Sequence, residues 1–174
     1  MSTQTATQLG NDLELGLDEP LTAYWLAIIR VVTGWWFFHA GATKLIESGL
    51  SYTYGTTFLR SMEGTVLGPV PALMANHLAW LIEPGVPLFE TLIGLGLIFG
   101  ALTRLAAVGG IVFMTLFWVG NAAFGHGLVT SELLGLMLFA TVIVVGAGRH
   151  YGVDGYLESR GLVDEHSRLR YLMG

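Results

Sequence analysis

The chain contains no cysteine. Disulfides, thiolate metal sites and covalent carriage of a persulfide are therefore excluded. Charge is scarce as well: only 12% of the 174 residues are Asp, Glu, Lys or Arg, and Lys44 is the sole lysine. The segment ahead of the first apolar stretch carries Asp12, Glu14, Asp18 and Glu19 and no basic residue. It lacks the positive n-region of a cleaved leader, so the first stretch is expected to persist as a helix of the mature chain. No two histidines stand four residues apart, and His39 alone among them falls inside an apolar stretch. That spacing offers neither a helix-borne metal pair nor two histidines facing each other across a haem, and no metal or haem is expected. The glycines of the apolar stretches are followed by no acidic ribose ligand, so a dinucleotide fingerprint is missing. No nucleic-acid partner is expected.

What the chain has in quantity is apolar residues, 53% of the total. They gather in four continuous stretches, residues 21–45, 85–102, 105–123 and 131–147. A hydrocarbon core of ~30 Å asks for about 20 helical residues, with ~17 tolerated. Continuous rather than alternating hydrophobicity argues against a barrel. The expected fold is all-α: an integral membrane four-helix bundle in the lipid bilayer, residues 21–157. An acidic tail, residues 1–20, precedes it, and a C-terminal tail, residues 158–174, follows. The turn at Thr103 and Arg104 is tight, which makes the second and third helices antiparallel neighbours.

Basic residues orient the bundle. Arg104, Arg149, Arg160, Arg168 and Arg170 fall on the side of the termini, against Lys44 and Arg60 on the other. Positive residues mark the cytoplasmic face, so both termini are expected inside and the connection 47–84 outside. Within that connection Tyr52, Tyr54, His77 and Trp80 suit the headgroup level. The run 71–82 is too short to span. It suits a short interfacial helix, a cap over the outer end of the bundle, or both.

Ionisable residues inside a membrane are costly, and each is a functional candidate. At ~100° per residue, Arg30, Gly34, Phe37, Gly41 and Lys44 fall within about 40° of one line on the first helix. His39 lies about 180° from Arg30 and must face something else. Glu83, Glu90, Gly94, Leu97, Ala101 and Arg104 form the matching stripe on the second helix. A pair between Lys44 and Glu83 or Glu90 would lower the cost of burying either partner. Arg30 is deeper and needs a carboxylate, carbonyls or a water-filled cavity. Asn121, His126 and Glu132 add polar groups from the third and fourth helices. Together these residues suggest a polar pocket opening outward. The plainer alternative is that they only pin helix contacts and depth. Trp35, Trp36, Phe37 and Phe38 can pack on a flat ring or on lipid. The small-xxx-small pattern of Gly96 and Gly100 signals close helix packing, within the chain or in a homodimer.

These patterns, taken in order, resemble the DoxX family, including the small DoxD-type subunit of thiosulfate:quinone oxidoreductase. The resemblance is carried by Arg30, Gly34, Gly41 and Lys44 on the first helix, and by Glu90, Gly94, Gly96 and the Leu102-Thr103-Arg104 end of the second. The glycine-rich exit of the fourth helix, residues 146–154, ends in Asp154. The resemblance implies a multi-pass protein of the prokaryotic cytoplasmic membrane, associated with redox partners and the quinone pool. On this reading the chain is a membrane subunit of a redox system passing electrons to a ubiquinone- or menaquinone-type quinone, from a sulfur-compound donor such as thiosulfate by analogy. Glu90 would handle protons. Arg30, Lys44, His39 and Asn121 would bind quinone or an anionic donor, and Glu83, Arg104 and Glu132 would support the seam. The alternative is a non-catalytic scaffold that recruits a partner redox enzyme, with the arginine-bearing tail as its docking element. The outer connection is longer than in many chains of this type, and the companion subunit is not part of this chain.

Overall fold

In an apolar setting the backbone's polar groups have only one another for partners, and helix satisfies them within each segment. The computed structural model describes residues 19–120, 127–161 and 169–174. Among the described residues there is helix and turn and no strand. The elements in order are α1 (Glu19–Ser48), α2 (Tyr54–Ser61), α3 (Val70–His77), α4 (Ala79–Phe99), α5 (Thr103–Gly120), α6 (Ser131–Val144), α7 (Val153–Ser159) and α8 (Leu169–Leu172). Short 3₁₀ turns, Met62–Gly64 and Ala147–Arg149, follow α2 and α6.

Helices α1, α4 and α5 are each long and apolar enough to cross a bilayer. The chain is a multi-pass membrane protein. α6 is apolar but only 14 residues long, about 21 Å at 1.5 Å per residue. It was expected to run to residue 147. Val145 caps it instead, and Gly146 takes a left-handed conformation (φ 59°) that turns the chain away.

The second helix begins six residues earlier than expected. The apolar stretch in the sequence starts at residue 85, yet Pro84 and Pro87 both lie inside α4. A proline interrupts a helix by removing one N–H bond, and membrane helices tolerate this where neighbours cover the freed carbonyl. The connection also differs. It contains α2, which was not expected. The run 71–82 is divided at Leu78 (φ −116°, ψ 17°), so its last residues open α4. Its first part, α3, is a cap: Ala75 packs with Leu59 and Met62, and Arg60 Nε donates to Asn76 Oδ1 at 3.2 Å, tying α2 to α3. The cap is seated on the end of α5, where the side chains of Met62 and Phe58 occupy the space a Cβ on Gly120 would need.

α1 lies along α4, α4 along α5, α5 along α6, and α6 returns to α1. Lipid is as apolar as the core, so close packing and hydrogen bonds hold the helices, with little help from exclusion of water. Small residues make that packing close. An added Cβ on Gly34 would stand 2.8 Å from Leu97 Cβ and 2.9 Å from Gly94 O. One on Gly41 would stand 2.8 Å from Pro87 O. Between the helices Phe37 meets Phe139 edge to face at 4.8 Å, within a core that includes Ile93, Leu97, Ala107, Met114 and Val142.

Candidate functional site

Polar residues gather at two separate levels of the bundle. The first is the end covered by α2 and α3, the capped end. Gly34, Phe37 and Gly41 bury one stripe of α1 against α4, and the next turn of that stripe carries Lys44. The matching turn of α4 carries Glu90. Backbone-to-backbone approach at Gly41 and Gly94 brings the two side chains together, and Lys44 Nζ donates to Glu90 Oε2 in a short ion pair. The partners differ in exposure: the Lys44 side chain is 23% accessible and that of Glu90 3%. Lys44 therefore stands between a buried carboxylate and open space. Its ammonium also lies 5.3 Å from the centroid of the Tyr52 ring, a cation–π distance.

That open space is a cavity of about 340 Å³ beneath the cap. Lys44 and Tyr52 line it at one place, and Phe58, Phe113, Phe117 and Glu132 line it from α2, α5 and α6. Its volume and its mostly apolar walls with a few polar groups are those of a small-molecule site. The Tyr52 phenol is held above its ordinary pKa, first by burial and then by the neighbouring charge of Glu90 and by Tyr54. It remains a neutral hydrogen-bond donor at neutral pH. Glu83 is not paired with Lys44. It accepts a hydrogen bond from Thr56 Oγ1 at 3.3 Å, which fastens α2 to α4.

The second level is the tight turn between α4 and α5, the turn end. Gly100 (φ 66°) and Leu102 (φ 48°) bend the chain there. Asp154, at the start of α7, is buried beside this turn. Its carboxylate accepts from Leu102 N at 2.8 Å, Thr103 N at 2.9 Å and Gly174 N at 3.2 Å. Asp154 N donates in return to Gly100 O at 2.8 Å. Arg30 is 1% exposed, and its Nη2 donates to Tyr151 O at 3.2 Å. Its guanidinium occupies the space that a side chain on Gly100 or Gly152 would need. Asp154 is within electrostatic reach of it. One carbonyl and a nearby carboxylate meet part of what its depth requires, while Arg30 Nε and Nη1 are buried with no hydrogen-bond partner among the described residues.

The expected site residues are divided between these levels. Lys44, Glu90 and Glu132 meet at or beside the cavity. Arg30 does not join them. Fourteen residues of α1 separate it from Lys44, about 21 Å along the axis, so one small molecule cannot touch both. Arg104 belongs to the turn end, where a Cβ on Gly174 would lie 3.3 Å from its Cγ. His39 is exposed on the opposite face of α1 beside Trp35, with ring centroids 6.2 Å apart, as its angular offset from Arg30 dictates. It does not line the cavity. Asn121 and His126 lie outside the described residues. The sequence reading missed Phe58, Phe117 and Asp154 as site residues. Asp154 carried a signal, an acid just after a glycine-rich exit, that was read only as a family resemblance. The two phenylalanines carried none.

Among the described residues, no group of three or more His, Cys, Asp or Glu side chains is gathered as a metal site would require. In comparisons with known proteins, the family model described as DoxX matches residues 25–127, more than half of the chain. The matched region runs from within α1 past the end of α5 and includes the cap, Lys44 and Glu90. Neither the curated proteins nor the solved structures gave a match.

Proposed function

The chain belongs to the DoxX family, and we propose that it acts as the membrane subunit of a redox system that passes electrons to quinone. The observation that carries this reading is the Lys44–Glu90 pair beside an apolar cavity of about 340 Å³. The residues fit a quinone ring. Tyr52, Phe58, Phe113 and Phe117 offer aromatic walls, and Lys44 offers a donor to a ring oxygen. Quinone, when bound, takes up two electrons and two protons.

The chain's own task is then proton delivery and orientation. Glu90 holds a proton-exchanging group away from water, and Lys44 links it to the cavity by the hydrogen bond they share. The electrons come from a partner subunit, with a sulfur compound such as thiosulfate as the donor. In this proposal α6 is a fourth, short crossing, both termini face the cytoplasm of a prokaryotic cell, and the cap faces outward. A second reading, a scaffold for a partner enzyme, is favoured by the turn end. There Arg149, which donates to Glu158, Tyr156 on α7 and Arg160 just after it are all exposed.

A photoreactive azido-quinone added to the protein in native lipid tests the site. Label recovered on peptides containing residues 52–58 and 113–117 supports the reading, and label confined elsewhere removes the cavity from it. Orientation is tested in the naturally cysteine-free chain. An impermeant thiol reagent on intact cells should label Ser61→Cys and spare Ser159→Cys, both exposed positions. The reverse pattern would invert the topology.

A further inference from the structure

One face of α1 is turned outward from the bundle. Leu21, Trp25, Ile28, Val32, Trp35 and His39 are all exposed there. They follow one another at alternating steps of four and three residues, the repeat of a helix–helix seam. At ~100° per residue they lie within about 40° of the line opposite Arg30, away from the stripe that packs on α4. The apolar members suit lipid as well as protein. His39 does not, and its depth is set by its neighbours. The backbone of Phe38 lies against Gly94, inside α4, and Arg30 lies against Gly100. Nine residues of α1 place His39 about 14 Å from the level of the α4–α5 turn, near the middle of a hydrocarbon core of ~30 Å. An imidazole at that depth is too short to reach the headgroups, and lipid chains offer it no hydrogen bond. Among the described residues it makes no hydrogen bond or ion pair, and its ring lies beside that of Trp35.

We propose that a second copy of this chain covers this face, with the two α1 helices side by side and the His39 side chains paired across a twofold axis normal to the membrane. Copies inserted in one orientation carry their α1 helices parallel, so that axis brings each seam residue to its own counterpart at equal depth. The one ionisable side chain of the seam must then satisfy itself. A neutral imidazole can do so, because it carries one donor and one acceptor. A lysine or glutamate in its place would repel its counterpart. In lipid an interhelical hydrogen bond supports an association that apolar contact alone drives weakly. The seam lies apart from the cavity, and the assignment is independent of the quinone reading.

Because the chain has no cysteine, single introduced cysteines report the seam. In native membranes under an oxidant, Ile28→Cys and Val32→Cys should each give a disulfide-linked dimer. Val112→Cys, exposed on α5, should give none. Single-molecule photobleaching of the labelled full chain over a range of lipid dilutions measures association separately. Wild type should pass from monomer to dimer as lipid is withdrawn. His39→Leu should weaken the dimer about tenfold, the loss of one interhelical hydrogen bond. His39→Asn, which keeps a donor and an acceptor, should hold most of the association. Position 39 lies outside the packed core, and thermal unfolding checks that both variants keep the fold. Monomers at every dilution, dimers linked as readily through Val112→Cys as through Val32→Cys, or association that His39→Leu leaves unchanged would each overturn the proposal. Cross-linking of Val32→Cys to a different protein in place of its own copy would also overturn it, since a foreign subunit would then occupy the seam.

Discussion

The two ends of the bundle each bury a carboxylate, and they use it in opposite ways. At the turn end Asp154 accepts from three backbone N–H groups, at Leu102, Thr103 and Gly174. Those donors cannot move without unfolding the turn. At the capped end, among the described residues, Glu90 is held by one flexible side chain, Lys44, which also borders a cavity. A carboxylate fixed by backbone serves architecture. One held by a mobile ammonium beside open space can exchange protons. The difference lies in which donors surround each acid, since both acids are almost fully buried.

The largest expected effect follows from removing the fixed acid. Asp154→Ala strands buried backbone donors at the α4–α5 turn and should cost about 3–5 kcal/mol, seen as a fall of about 10 °C in thermal unfolding in detergent. A change of only a degree or two would mean that the turn does not depend on Asp154. Next in size is Gly94→Ala, whose new Cβ would collide with the Phe38 backbone. Overpacking of this kind costs ~1–3 kcal/mol. It should also push α1 from α4 and weaken azido-quinone labelling at the cavity, which Asp154→Ala in its folded fraction should leave intact. Loss of labelling in both variants would erase the distinction between the ends.

Glu90→Gln should do less to stability, about 1–2 kcal/mol, because Lys44 is partly exposed and can turn to water. Its effect should appear instead in proton-coupled quinone reduction by the assembled complex, lowered ~10²–10⁴-fold. Full activity at matched protein and assembly levels would favour the scaffold. The smallest effect concerns Tyr52. The folded chain holds its phenolic proton more tightly than the unfolded chain does. Its contribution to stability is therefore full below the ordinary phenol pKa of ~10 and is lost as pH rises through the higher folded value. Ultraviolet difference titration should show a late tyrosinate component that vanishes in Tyr52→Phe and moves slightly earlier in Glu90→Gln, where the neighbouring charge is gone. An unmoved component in Glu90→Gln would disconnect Tyr52 from the pair.

Much of the helix register was legible in the sequence. The buried stripe of α1 and the stripe of α4 follow from one angular step per residue, and so does the exclusion of His39. The contact of Lys44 with Glu90 follows from two stripes at matching depth. Other features were not legible. Pro84 is a breaker by local rules, but α4 continues through it because the packed helices around it outweigh one lost hydrogen bond. The eight residues of α2 are too few for periodicity to declare a helix. Phe58 and Phe117 become walls of one cavity only when the cap folds back across the bundle. Periodicity names the face a residue occupies and leaves the opposing element unnamed. That is why Arg30 and Lys44, on one stripe, were assigned to one ligand although about 21 Å of helix divides them.

The bond between Asp154 and the α4–α5 turn also sets an order of events during synthesis. The N–H groups of Leu102 and Thr103 wait for an acceptor that is 52 and 51 residues further along the chain. At ~5–20 residues per second the ribosome needs several seconds to supply it. Both α5 and α6 are therefore synthesised before this acceptor exists. Closure dries the turn and seats Gly152 against Arg30, so the first helix is locked to the last segments in one late step. The first helix is thereby joined, through Gly152 and the Asp154 carboxylate, to a segment that follows every long apolar helix in the chain.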